Sequence, residues 1–306
     1  MSPTHVVTVI NAPSQPALRA DAAGSVRVAL QMAGASTHAW SWLDEGVAFD
    51  VPFAVEPGAG DVATAQSHAR QALHNVRADV VVLPLAGRRK KLLVADMDST
   101  IIGQECLDEL AARAGVGAEV AALTERAMRG EVDFAEALQQ RVALLKDQPV
   151  ALLDRTYAES VRLNPGARTL ARTMHAHGAH AALVSGGFKF FTSRVAAAAG
   201  FDSFGGNEFE IEGGNLTGGI AGDILGADAK LARLKELTAE LDLDPKDTLA
   251  LGDGANDIPM LQAGGLGVAY HAKPKVRAAV AARIDHGDLT AVLYLQGYRA
   301  AEFVRD

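Results

Sequence analysis

Leu92-Leu93-Val94-Ala95-Asp96-Met97-Asp98-Ser99-Thr100 is the stretch on which the fold turns. Its first four residues are apolar and partly β-branched, which suits a short strand buried on both faces. Two carboxylates follow at i and i+2, where such a strand should end. Residues i and i+2 of a strand point to the same side, so both acids can face one site. In open α/β sheets ligands bind at the carboxyl end of the strands. Taken alone, the same residues also fit an acidic turn facing water, and only the rest of the chain separates the two readings.

Downstream, residues 105–161 read as helix after helix. Leu107, Leu110 and Ala111 recur at helical spacing, as do Phe134, Leu138, Val142 and Leu145. No strand-like run interrupts them, so a helical insertion follows the first core strand directly. Asn164-Pro165-Gly166 marks the return. Strand and helix then alternate: helix 166–177, strand 181–184, helix 189–199, a hairpin over 207–221, helix 228–240, strand 248–251, and short elements to a last helix at 288–296. That alternation predicts an α/β fold with a doubly wound parallel sheet.

Upstream, residues 4–85 form a separate unit. Strand 6–10, helix 14–33, a strand pair over 38–43 and 47–55, helix 61–75 with Asp61 as N-cap, and strand 79–85 give the order βαββαβ. That order predicts a ferredoxin-like α+β unit. In element order it resembles the ACT-type regulatory domains found beside amino-acid enzymes, and a docking or homodimerisation module fits equally well. Gly87-Arg88-Arg89-Lys90-Lys91 reads as a solvated basic junction.

Composition narrows the function classes. A chain of 306 residues, 49% hydrophobic, fits two or three globular domains. A net charge of -8 argues against a general nucleic-acid surface. No apolar run reaches the roughly 18 residues of a membrane span, and no leader is expected at the start. The single cysteine, Cys106, allows no intrachain disulfide and suits the cytoplasm; it reads as a packing residue.

Three further stretches sit where strands end or helices start: Ser185-Gly186-Gly187, Gly252-Asp253-Gly254-Ala255-Asn256-Asp257, and Lys230 in the first turn of its helix. The predicted sheet gathers Asp96, Asp98, Ser185, Asp253 and Asp257 at one edge. Clustered carboxylates repel unless a cation or protons intervene. Oxygen donors without His or Cys favour a hard cation such as Mg²⁺. The Ser185 hydroxyl, glycine amides and Lys230 ammonium suit an anionic oxygen ligand. Carboxylates, a hard cation and anion donors together point to phosphoryl transfer.

Asp96-Met97-Asp98-Ser99-Thr100, Ser185, Lys230 and Gly252-Asp253-Gly254-Ala255-Asn256-Asp257 resemble, in order and spacing, the motifs of the haloacid-dehalogenase-like phosphatases. Glu105, Leu107-Asp108-Glu109-Leu110-Ala111, Met128-Arg129-Gly130-Glu131-Val132-Asp133-Phe134, Arg141-Val142 and Val184-Ser185-Gly186-Gly187-Phe188 are similar to the phosphoserine phosphatases within that family. The resemblance implies a catalytic core over 87–104 and 162–306, a helical cap over 105–161 and an ACT-like domain over 1–86. It implies Asp96 as nucleophile and Asp98 as general acid and base. Asp96, the Asp98 backbone carbonyl and Asp253 would hold Mg²⁺, supported by Asp257. Ser185, Gly186, Lys230 and Asn256 would bind phosphate. Glu105 would meet the substrate ammonium and Arg141 its carboxylate, with Met128 and Phe134 as pocket walls. The implied reaction is hydrolysis of O-phosphoserine, the last step of serine biosynthesis. The alternative is a related phosphatase or phosphotransferase acting on another small phosphomonoester.

Overall fold

A computed structural model describes residues 2–55, 61–128 and 131–305, the side chains of Ala127 and Met128 excepted. The core sheet is built on strand β6. In chain order the elements are β1 (His5–Ile10), α1 (Ala20–Met32), β2 (Ala35–Thr37), β3 (Ser41–Asp44), β4 (Ala48–Val55), α2 (Val62–Ala72), β5 (Asp79–Pro84) and β6 (Leu92–Ala95). Four helices follow: α3 (Cys106–Ala114), α4 (Gly117–Met128), α5 (Phe134–Ala143) and α6 (Ala151–Ser160). Then come α7 (Ala167–Ala176), β7 (His180–Phe188), α8 (Lys189–Ala199), β8 (Ser203–Glu212), β9 (Asn215–Ala221), α9 (Ala227–Glu240) and β10 (Thr248–Gly252). The chain closes with α10 (Ile258–Ala263), β11 (Leu266–Tyr270), α11 (Pro274–Ala279), β12 (Ala282–Ile284) and α12 (Ala291–Leu295).

All four side chains of β6 are buried, as an apolar run without polar alternation requires. Leu93 and Ala95 pack with Leu183, Leu249 and Leu251 on one face of the sheet. Leu92 and Val94 pack with Ala182, Val184 and Ala250 on the other. The sheet order is β12-β11-β10-β6-β7-β8-β9. The pairs from β12 to β8 are parallel, and β9 returns antiparallel to β8. The chain steps outward from β6 to β7 and β8, then crosses to β10 and steps the other way. The switch point therefore lies beside β6, and Asp96 follows its last residue there.

The inserted helices leave and rejoin the core at one place. Ile102 and Leu163 form an isolated antiparallel bridge, and the Asn164 Nδ2 donates to the Thr100 carbonyl at 2.8 Å. Leu110, Val120, Leu138, Val142 and Leu153 bury the inner faces of these helices.

The N-terminal sheet has the order β2-β4-β1-β5, with β3 also paired to β4. Its strands pair antiparallel, and α1 and α2 cover one face through Val26, Leu30, Ala65 and Ala69. Three local expectations need correction. Helix α1 begins at Ala20 rather than 14, because Pro16 lies in the irregular segment 16–19 that precedes it. The strand expected over 38–43 is the shorter β3 at Ser41–Asp44, and a further strand, β2 at Ala35–Thr37, precedes it. The last helix spans only 291–295.

The basic stretch 87–91 is solvated at Gly87, Arg89 and Lys91 but not at Arg88. The Arg88 guanidinium is buried and donates to both Asp50 carboxylate oxygens, at 2.6 and 3.0 Å. It also donates to the Thr8 hydroxyl and to the carbonyls of Tyr294 and Leu295. Arg89 pairs with Glu302, and the Lys90 ammonium donates to the Gly87 and Lys246 carbonyls. Backbone carbonyls left open at the seam draw these cations inward.

Candidate active site

The β6 strand ends in a wide turn, Met97–Ile101, that aims both acids into one pocket. Ser99 takes a left-handed conformation there, φ 54°, which turns the chain sharply after Asp98. The pocket has a volume of about 170 Å³. Asp96, Asp98, Glu105, Phe134, Arg141, Ser185, Gly186, Lys230, Asp253 and Asn256 all line it. The Met128 side chain and Arg129-Gly130 lie outside the described residues.

Lys230 is the electrostatic centre. Its ammonium lies 2.7 Å from Asp96 Oδ1 and 2.7 Å from Asp257 Oδ1, and all three side chains are buried. Burial disfavours the ammonium, but the two carboxylates outweigh it and raise the Lys230 proton affinity above the usual lysine range. Burial, and then the Asp257 charge, push Asp96 well up against the opposing pull of Lys230. Asp96 Oδ1 also accepts from the Met97 N–H at 2.8 Å, while Oδ2 has no hydrogen-bond partner among the described residues.

Asp257 sits behind the pocket. Its Oδ2 accepts from the Gly254 N–H at 2.9 Å and the Asp253 N–H at 3.2 Å, which folds the loop after β10 around it. Gly252 makes this possible, since a Cβ there would stand 2.5 Å from the Asp257 carboxyl carbon. Asp253 accepts from the Thr100 hydroxyl at 3.1 Å, and burial raises it to about 6.

Asp98 faces a different set of partners. Its Oδ1 accepts from the Cys106 N–H at the first turn of α3, 2.9 Å away. Its Oδ2 accepts from the Ser185 hydroxyl at 3.2 Å. Burial, and then the Glu105 charge, raise Asp98 to about 6. Cys106 is buried and its thiol is pushed far up, so it is no nucleophile. Glu105 accepts from the Ser99 hydroxyl at 2.6 Å. Arg141 anchors its Nε on the Ala137 carbonyl. The Phe134 ring closes over Gly186, where a Cβ would stand 3.0 Å from the ring tip.

Some contributors had no clear signal in the sequence. Asn207 is buried, donates to the Gly186 carbonyl at 2.8 Å and accepts from the Leu225 N–H at 2.7 Å. It fastens the Ser-Gly-Gly turn to the loop before α9, which carries Lys230. Thr100 and Lys273 also reach the site. Thr100 lies within the Asp96–Thr100 motif, whereas nothing in their spacing marks Asn207 and Lys273, because their neighbours come from elements far apart in sequence.

The donor set fits a hard divalent cation. Carboxylate oxygens of Asp96, Asp253 and Asp257 lie within 4.8 Å of one another with no nitrogen or sulfur donor among them. One ammonium cannot balance them in a buried site.

A parallel sheet with a carboxylate, lysine and serine cluster at its switch point defines a hydrolase of the phosphoryl-transfer kind. The haloacid dehalogenase-like hydrolase model matches residues 93–262, and the chain belongs to that family. It is 42% identical to the phosphoserine phosphatase of Archaeoglobus fulgidus over 79% of this chain and 71% of the relative. Among solved structures it is similar to a haloacid-dehalogenase-family hydrolase from Salmonella enterica serovar Typhi, with a TM-score of 0.83 and 28% identity over 95% of this chain and 98% of that one. A probable phosphoserine phosphatase from Vibrio cholerae gives a TM-score of 0.77 and 30% identity over 98% of this chain and 88% of that one. Among the described residues no helix is long and apolar enough to cross a membrane.

Proposed function

We propose that the chain hydrolyses O-phosphoserine to serine and phosphate. The observation that carries this reading is one pocket holding both halves of the chemistry: the Asp96–Lys230–Ser185 cluster on one side and Glu105 with Arg141 on the other. The first half suits a phosphoryl group. The second suits an amino acid, with Glu105 for the ammonium and the Arg141 fork for the carboxylate. The names of the relatives support the same substrate.

Phosphate monoester hydrolysis is among the slowest uncatalysed reactions, with enhancements up to ~10²¹ required. A covalent route divides that barrier. Asp96 Oδ2, the oxygen without a partner, attacks phosphorus while Oδ1 stays pinned by Lys230 and Met97. The seryl oxygen departs with a proton from Asp98, whose raised pKa of about 6 keeps that proton available nearer neutrality. Asp98 then takes a proton from water, which attacks the phospho-aspartyl group, releases phosphate and restores Asp96. Ser185, the Gly186 amide, Lys230 and Asn256 hold the phosphoryl oxygens. Mg²⁺ would be held by Asp96, Asp253 and the Asp98 carbonyl, and when bound supplies positive charge against the phosphoryl oxygens. Residues 105–161 serve as the cap that excludes water over the core of 87–104 and 162–306, and residues 1–86 serve as the ACT-like unit.

Phosphate release from a panel of small phosphomonoesters, with Mg²⁺, tests this reading. Asp96→Asn should lower kcat by about 10⁴ or more. Arg141→Ala should cost about 10²-fold in kcat/KM with phosphoserine and little with a phosphomonoester lacking a carboxylate. Near-normal turnover by the first variant, or an equal loss on both substrates by the second, would overturn the assignment.

A further inference from the structure

A second cavity, about 210 Å³, lies between α2 and β5 of the N-terminal sheet and the loop that follows β12 of the core. It shares no lining residue with the catalytic pocket. We propose that it is a binding site for a small oxyanion, a phosphate or carboxylate held by the guanidinium groups of Arg70 and Arg283. The proposal does not depend on the substrate assigned to the catalytic pocket.

The cations are positioned but not satisfied. Arg70 donates through Nε to the Val80 carbonyl at 3.1 Å and turns its terminal nitrogens toward the Gln66 side chain. A guanidinium carries five N–H donors, so each terminal nitrogen keeps one for another acceptor. Arg283 approaches Asp285 most closely through Nε, at 3.3 Å, and its terminal nitrogens make no hydrogen bond among the described residues. The two arginines feel each other: burial first, and then the Arg283 charge, lower the Arg70 proton affinity. His286 lines the same cavity, and its Nδ1 is buried without a hydrogen-bond partner.

The nearby carboxylates do not fill the gap. Asp79 is buried, and both its oxygens are committed to the backbone N–H groups of Asp285, His286 and Gly287 at 2.7 to 3.2 Å. Asp285 is shared between Arg283 and Arg277, at 3.3 and 3.4 Å. Two guanidinium groups and two carboxylates line the cavity, but the Asp79 oxygens are taken by backbone N–H groups and Asp285 is shared with Arg277, which lies outside it. An oxyanion would accept the open N–H groups in bidentate fashion. The volume of about 210 Å³ admits phosphate or a small carboxylate.

Calorimetric titration of inorganic phosphate, and separately of acetate, into the full chain without Mg²⁺ tests the site. Wild type, Arg70→Gln and Arg283→Gln are compared, so binding in the catalytic pocket is common to all three. Phosphate or acetate affinity should fall about tenfold or more in each variant, while turnover stays within about twofold of wild type. Loss with phosphate alone assigns a tetrahedral oxyanion, and loss with acetate alone or with both assigns carboxylate recognition. The His286 ring resonances of wild type, assigned with His286→Gln, should shift on the same titration. Identical isotherms in all three proteins, or His286 resonances that stay fixed at saturating phosphate and acetate, would overturn the proposal.

Discussion

The Lys230 ammonium bridges Asp96 and Asp257 at 2.7 Å from each, in a site from which water is nearly excluded. Asp98 and Asp253, both raised to about 6, add two more acids close by. In the metal-free chain these two groups hold protons in the folded state that they lose near 3.8 when unfolded. Their contribution to stability is therefore full below about 3.8 and declines as pH rises through about 6. A cation held by the Asp253 carboxylate must displace the proton on that group, while Asp98, which offers only its backbone carbonyl, keeps its own. Thermal stabilisation by saturating Mg²⁺ should accordingly be larger at pH 7.5 than at pH 5, and apparent Mg²⁺ affinity should weaken below about pH 6. Scanning calorimetry across that range checks both, and a pH-independent gain would contradict the linkage. Thr100 is the next residue out, its hydroxyl orienting the Asp253 carboxylate at 3.1 Å. Thr100→Val keeps the shape and removes the bond. It should weaken Mg²⁺ activation about 10–100-fold with the fold intact, as loss of a partner that orients a metal ligand commonly does. An unchanged Mg²⁺ activation curve would deny Thr100 that role.

At the scale of elements, the acidic and glycine-rich stretches were legible because each follows a strand buried on both faces. Leu92 to Ala95, Ala182 to Val184 and Thr248 to Leu251 carry no polar residue facing solvent, so their ends stand out in the sequence. The start of α2 was legible through Asp61, and α5 carries a cap of the same kind that went unread. Asp61 caps α2 and Asp133 caps α5, each accepting from an amide three residues on at 2.7 Å. Helix α1 has no such mark, since Arg19 precedes it without a side-chain cap, and its start was read too early. Asn207 was illegible for another reason: its partners, Gly186 and Leu225, meet only once β7 and the loop before α9 are folded side by side. The α5 cap gives a measurable consequence, because that helix carries Phe134 and Arg141 to the pocket. Asp133→Ala should cost about 1 kcal/mol in stability. It should also raise KM more than it lowers kcat, since the loosened first turn holds binding rather than reacting groups. Urea unfolding with steady-state kinetics separates the two effects, and a variant with unaltered KM would place the recognition residues under other control.

At the scale of the molecule, part of the N-terminal sheet joins the apolar interior of the core, while its other face keeps a separate cluster with α1 and α2. Ile10, Leu43, Val47, Ala48 and Val81 belong to the same buried cluster as Tyr294, Leu293 and the β6 side chains Leu93 and Ala95. Sequence periodicity shows which residues of a strand face inward, but not which partner covers the second face, so this union was not legible. Within the basic run 87–91, Arg88 misled for the same reason. A row of cations resembles a solvated junction until the acceptors arrive from Asp50, Tyr294 and Leu295, 38 residues upstream and more than 200 downstream. Arg88 now stands as the polar fastening inside that seam, with both Asp50 oxygens and the Thr8 hydroxyl bound to it. Removing one partner of a buried pair leaves the other charge uncompensated, at about 3–5 kcal/mol, whereas replacing both by apolar groups is often close to neutral. Arg88→Met should therefore destabilise strongly, and Arg88→Met combined with Asp50→Leu should recover much of the loss. Because the interior is continuous, wild type should unfold in urea as one transition, while the single variant should release the N-terminal sheet first and show two. Fluorescence of Trp40 and Trp42, which lie in that sheet's apolar cluster, reports its release, and far-UV dichroism reports the whole chain. Coincident transitions in Arg88→Met at wild-type stability would mean that the apolar contacts alone hold the two sheets together.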